Sequence, residues 1–167
     1  MRPRIYLAGP DVFRPDARAH GDHLKRLCAQ HGFEGCFPLD EPAQGAADIF
    51  AACVRQLRSC TFVLANLSPF RGASADVGTA VELGMAHALG RPVFGWSNSA
   101  GEVYAVRAAR FADGWQVEDF GLTDNLMVVE ALAAPVFASP DAALAAMAQM
   151  KSPLPRQGRG QDAGTQP

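Results

Sequence analysis

The chain has 167 residues, 49% hydrophobic and 19% charged, with a formal net charge of −2 at pH 7. That length and apolar content suit one globular domain with its own core. The near-neutral charge, with no basic cluster before the tail, excludes a surface built for nucleic-acid polymers or anionic membranes. No apolar run approaches the roughly 20 residues that cross a bilayer. Because Met1-Arg2-Pro3-Arg4 leads straight into a strand, no signal peptide is read, and a cytoplasmic chain is expected.

Taken in order, residues 4–8 read as a strand that Gly9-Pro10-Asp11 breaks, since Pro10 pushes Gly9 out of the α region. Tyr6 and Phe13 flank this turn and are either core aromatics or rings that stack on a planar ligand. Residues 16–31 carry a helical stripe of Leu24, Leu27 and Cys28, closed by Gly32. Residues 33–37 form a second strand ending in Pro38-Leu39-Asp40, followed by a flexible stretch over 41–45 and a helix over 46–59.

Residues 61–67 are a short apolar run suited to a strand buried on both faces. Ser68-Pro69-Phe70-Arg71-Gly72 stops it, and apolar residues at helical spacing then run from Asp76 to Leu89. Residues 93–96 give a fourth strand, so β-α-β units follow one another. The expected fold is α/β, a single domain with a flavodoxin- or Rossmann-like parallel sheet of about four to five strands flanked by helices. Further helices are expected over 102–111, 126–133 and 142–151, with Ser139 as N-cap and Pro140 at the first helical position. Residues 114–120 read as a short edge strand or plain loop. The domain is placed at 1–152 and a disordered tail at 153–167, where Pro, Gly and Gln replace apolar periodicity.

Cys28, Cys36, Cys53 and Cys60 form no Cys-x-x-Cys pair, and His20, His23, His31 and His87 complete no zinc pattern, so reduced thiols, no metal and no cofactor are expected.

Ligands of open α/β sheets gather at the carboxyl ends of the strands. There the sequence places Asn66, Arg71, Asp76, Thr79 and Glu82. Glu82 sits among Val81, Leu83, Gly84 and Met85, with Gly78 one turn back leaving room above it. It reads either as a nucleophile held partly dry or as a helix-face carboxylate that is solvated or paired with Arg71 or Arg91. Asp76 reads as an N-cap or a ligand contact.

Three stretches occur in a telling order: residues 4–13 (RIYLAGPDVF), residues 66–84 with Asn66, Asp76 and the Glu82-Leu83-Gly84 step, and Asp124-Asn125-Leu126-Met127. Together they resemble the nucleoside 2-deoxyribosyltransferase family. The resemblance implies transfer of a 2-deoxyribosyl group between nucleobases, with Glu82 attacking C1′ and two inversions returning the β-anomer. It implies that Tyr6 reaches into the active site. Asp76 would accept a hydrogen bond from the sugar's 5′-hydroxyl, a task shared with Asn125 of a neighbouring subunit in a dimer or hexamer. Gly9, Asp11, Phe13, Asp40, Asn66, Gly78 and Met127 complete the expected substrate contacts.

Free nucleosides are favoured over nucleotides, because the Asp76 carboxylate repels a phosphate. Arg71 is read as a brace for its loop. One departure stands out: the aspartate many members carry at the start of the central strand is matched here by Thr61, which cannot deliver a proton to the leaving base. Alternatives are an N-glycosidase that uses water as acceptor, or a nucleoside-binding protein with little turnover.

Overall fold

Side-chain alternation along the strands decides the architecture of the computed structural model, which describes residues 2–111 and 113–151. In β1 (Arg4–Ala8) and β3 (Phe62–Asn66), Tyr6, Ala8, Val63 and Ala65 pack into one buried cluster. Ile5, Leu7, Phe62 and Leu64 pack into a second on the opposite face. Strands buried on both faces belong at the centre of a parallel sheet. β2 (Glu34–Cys36) and β4 (Val93–Trp96) flank them in the order β2-β1-β3-β4, all parallel, with Tyr6 opposite both Cys36 and Val63.

Two layers of helix cover the sheet. α1 (Ala17–Gln30) brings Leu24 and Cys28 to the Ile5 face, where α6 (Pro140–Lys151) adds Ala143, Leu144 and Met147. α2 (Gly45–Ser59) and α3 (Val77–Ala88) bring Leu57, Leu83 and Ala86 to the Tyr6 face. α4 (Tyr104–Ala108) and α5 (Leu126–Val129) are single short turns, and Val128 of α5 joins the Tyr6-side cluster. The chain moves outward from β1 to β2 and then crosses back to β3, so the crevice beyond the carboxyl ends of β1 and β3 is a topological switch point.

The parallel sheet has four strands, within the expected range. Residues 114–120 form loop, the second of the two readings. The helix expected over 102–111 is shorter, with a 3-10 turn at Ala109–Phe111 after α4. The helix expected over 126–133 stops at Val129. Ala133 N there donates to Val93 O, Phe137 N to Gly95 O, and Ser97 N to Phe137 O, all at 2.8–2.9 Å. The exposed edge of β4 offers unsatisfied backbone groups, and satisfying them draws this apolar segment out alongside the strand. Among the described residues no helix is long and apolar enough to cross a membrane. The expected tail, 153–167, lies outside the described residues.

Candidate active site

Tyr6 points from β1 into the α2/α3 layer and is fully buried. Its hydroxyl donates to Glu82 Oε1 at 2.6 Å, joining residues 76 positions apart. Glu82 is half-buried on the inner side of α3 and lines a cavity of about 500 Å³ between α2 and α3. The rest of the lining is almost wholly apolar and includes Ile49, Phe50, Cys53, Val81 and Met85.

The electrostatics follow from that burial. Removal from water pushes the Glu82 carboxyl up to about 7, the Tyr6 hydrogen bond pulls it down in part, and the Asp76 charge raises it further. Burial, reinforced by the neighbouring Glu82 charge, drives the Tyr6 phenol far above its ordinary value, so Tyr6 remains a donor at any working pH. Arg71 does not pair with Glu82; its guanidinium lies 4.7 Å from the Phe70 ring centroid and 5.2 Å from that of Phe13. Arg91 reaches the Arg58 carbonyl instead. No ion pair engages Glu82 among the described residues.

A raised carboxyl has a thermodynamic consequence. Below the unfolded-state value near 4.5 the group is protonated in both states and burial costs nothing; the penalty grows with pH and is complete above about 7. Glu82→Gln keeps the acceptor for Tyr6 and removes the charge. Its melting temperature is therefore expected to exceed that of the unsubstituted protein at pH 8 and to converge on it below pH 4.5, in thermal scans across that range.

Asp76 is the N-cap of α3, accepting through Oδ2 from Thr79 N at 3.1 Å and Thr79 Oγ1 at 3.3 Å. Its Oδ1 has no hydrogen-bond partner among the described residues. A side chain at Gly78 would bring a Cβ within 3.0 Å of that carboxylate, so glycine keeps this first turn open. At the head of the crevice Gly9 has φ 152°, and a Cβ there would lie 2.7 Å from Asn66 Cβ; the two strand ends approach this closely only with glycine.

Asn66 Nδ2 donates to Asp11 Oδ2 at 3.0 Å, and Asn66 Oδ1 accepts from Ser68 N. His20 Nε2 stands 3.1 Å from the other Asp11 oxygen. Asp11 and Asn66 are buried and occupied with each other, which ties the turn after β1 to the turn after β3. Phe13, exposed at 56%, stacks on Phe70 with centroids 5.4 Å apart. Arg71 caps this pair of rings, so it braces the loop through aromatic faces.

Asp40 and Thr61 fall elsewhere. The Asp40 carboxylate binds Lys25 Nζ at 2.7 Å and Phe37 N at 2.8 Å, closing the 3-10 turn at Pro38–Asp40 and facing α1, outside the cavity of Glu82. Thr61 is exposed at the amino end of β3, and its N–H donates to Arg4 O. Asn66, five positions on, occupies the opposite, carboxyl end of the strand. Asn125 caps α5 by accepting from Met127 N at 3.0 Å. It lines a separate cavity with Tyr104, Phe111 and Trp115, and Met127 is 74% exposed.

Two features escaped the sequence reading. Asp124, 2% exposed, accepts from the Ser74 hydroxyl, from Ala75 N at 2.9 Å and from Asn125 N at 2.7 Å, and pairs with Arg107 at 3.8 Å. Arg107, itself 5% exposed, donates to the carbonyls of Ala73 and Thr123. This buried pair fixes the loop that delivers Asp76. The second feature is Cys53, whose place on the apolar side of α2 was legible but whose position in the lining of the Glu82 cavity was not.

A doubly wound α/β fold with a half-buried carboxylate lining an apolar cavity between α2 and α3 makes a candidate small-molecule site. Residues 5–127 match the family model described as Nucleoside 2-deoxyribosyltransferase. The chain belongs to the nucleoside 2-deoxyribosyltransferase family. It is similar to the solved structure of a 2-desoxiribosyltransferase from Leishmania mexicana, with a TM-score of 0.79 and 36% identity over 88% of this chain and 97% of that one. A 2-deoxyribosyltransferase from Bacillus psychrosaccharolyticus shares the fold, with a TM-score of 0.55 and 22% identity, covering 83% of this chain and 88% of the other. The chain is also 40% identical, over 61% of its own length, to protein C191.05c of Schizosaccharomyces pombe, and spans 53% of that protein.

Proposed function

We propose that the chain transfers a 2-deoxyribosyl group from one nucleobase to another through an ester with Glu82. The observation that carries this reading is the 2.6 Å hydrogen bond by which Tyr6 holds Glu82 Oε1 at an apolar cavity. It leaves Oε2 as the attacking atom. As the Oε2–C1′ bond forms, the C1′–N bond breaks and its electron pair leaves with the base, which takes a proton from solvent. A nitrogen of the second base then attacks C1′ from the opposite face, the carboxylate departs, and the new nucleoside loses a proton. Each step inverts C1′, so configuration is retained overall. The apolar lining keeps water from intercepting the ester.

Asp76 Oδ1 is available to accept from the 5′-hydroxyl. Arg71 is occupied by two aromatic rings, so no cation from this loop offsets the repulsion between Asp76 and a 5′-phosphate, and free nucleosides are the substrates. Asn125 completes the sugar site of a second copy. Ile49, Phe50, Val77 and Val81, all more than half exposed beside the Glu82 cavity, supply apolar surface for such an assembly. The work is nucleoside salvage in the cytoplasm.

Incubation with deoxyinosine and adenine tests the reaction. Deoxyadenosine is the expected product. Release of free deoxyribose alone would make water the acceptor, and thermal stabilisation by deoxyinosine with neither product would leave a binding protein.

A further inference from the structure

Asp76 and Asn125 are built alike. Each caps the amino end of a helix and commits one side-chain oxygen to it: Asp76 Oδ2 accepts from Thr79 N in α3, and Asn125 Oδ1 accepts from Met127 N in α5. What is left over differs. Asp76 Oδ1 is an acceptor and Asn125 Nδ2 a donor, and neither has a hydrogen-bond partner among the described residues. A hydroxyl both gives and takes a hydrogen bond, so these two ends are complementary to one hydroxyl.

The Asp124 carboxylate, 2% exposed, joins the two caps. Toward α3 it accepts from the Ser74 hydroxyl and, at 2.9 Å, from the N–H of Ala75, the residue before Asp76. Toward α5 it accepts from Asn125 N at 2.7 Å. The Arg107 guanidinium, 3.8 Å from the carboxylate, donates to the carbonyls of Ala73 and Thr123, one on each of the same two segments. Both caps therefore start from one buried node.

We propose that Asp124 is a positioning residue: through Ser74, Ala75 N and Asn125 N its carboxylate fixes where both caps stand, so that Asp76 of one copy and Asn125 of a second meet on one sugar hydroxyl. This rests on the reading of Asp76 and Asn125 as the pair that takes the 5′-hydroxyl, and it adds the group that sets their places. The same carboxylate then serves two sites, its own chain's through Asp76 and the second copy's through Asn125. A shift of about 1 Å takes a hydrogen bond out of range, so the pair reads a hydroxyl only while both caps hold their positions.

Calorimetry on full-length protein in a Glu82→Gln background reads binding without turnover. The probes are 2′-deoxyinosine and 2′,5′-dideoxyinosine, which differ only in the 5′-hydroxyl. The background protein is expected to bind deoxyinosine about tenfold more tightly. Ser74→Ala leaves Asp124 its other partners and is expected to cut that ratio to about threefold, while Ser74→Thr keeps the hydroxyl and the ratio. Asp124→Asn, similar in volume, sets an amide N–H against one of the donors and is expected to abolish the preference. Affinity for the dideoxy compound is expected to stay unchanged throughout, which a general loss of fold would not allow. Equal weakening toward both nucleosides, or an unchanged ratio in folded Asp124→Asn, overturns the proposal. Asp76→Ala, measured alongside, separates the two levels. If the background protein shows no preference, or Asp76→Ala keeps it, the 5′-hydroxyl reading fails and the proposal with it; if Asp76→Ala abolishes the preference and Asp124→Asn does not, the positioning alone fails.

Discussion

Glu82→Ala is expected to lower base exchange by about 10⁴-fold or more while the protein still folds, because on the proposed mechanism loss of the covalent nucleophile removes the reaction path itself. The side chain is half-buried, makes one hydrogen bond and belongs to no ion pair among the described residues, so its truncation leaves no buried charge behind. The folded state loses an unfavourable carboxylate at neutral pH in the same step. Circular dichroism and a melting curve establish the fold, and product analysis with deoxyinosine and adenine reads the exchange. Exchange near the unsubstituted rate in this variant would remove Glu82 from the mechanism.

Asp124→Ala is expected to act on stability, with a loss of about 3–5 kcal/mol in denaturant unfolding. The reason is what remains behind. Arg107 would keep its charge at 5% exposure with Glu102, at 3.7 Å, as its remaining carboxylate, and the Ala75 N–H would lose its acceptor. Because these groups share one network, Asp124→Ala combined with Arg107→Met is expected to cost less than the sum of the two single changes. Additive losses would show that the two side chains act independently. The network also anchors residues 73–75, so Asp124→Ala is expected to displace Asp76 and, on the proposed function, to weaken nucleoside binding together with stability.

The sequence was most legible where burial on two faces dictated composition. Phe62–Asn66 and Val93–Trp96 announce themselves as strands because both of their faces meet helices, and the bounds of α1 and α2 fall within a residue of those read from apolar spacing. The segment after Val129 misled for the same reason inverted. Its alanines and Leu132 satisfy a helical pattern as well as an extended one, and only the free edge of β4, absent from local sequence, selects between them.

The site was legible in part. Glu82 and Gly78 stood out through local spacing, and Tyr6 through family resemblance, but the bond between Tyr6 and Glu82 spans 76 positions and has no local signature. Asp40 follows Pro38-Leu39 in a turn closed by the Phe37 backbone and by Lys25, a partner 15 residues upstream with no local signature. Thr61 was assigned by alignment to a strand start, and a strand start faces away from the crevice where ligands of this topology bind. Asp124 and Arg107 belong to residue types that are ordinarily exposed, and neither reveals in sequence that the other neutralises it.

The central claim is that one dry carboxylate, steered by a phenol, takes a sugar from its base. Mass spectrometry of the intact protein mixed with a deoxynucleoside and no acceptor base tests it most directly. A gain of one deoxyribosyl group is predicted, absent in Glu82→Ala; an unchanged mass, or the same gain in Glu82→Ala, would contradict it.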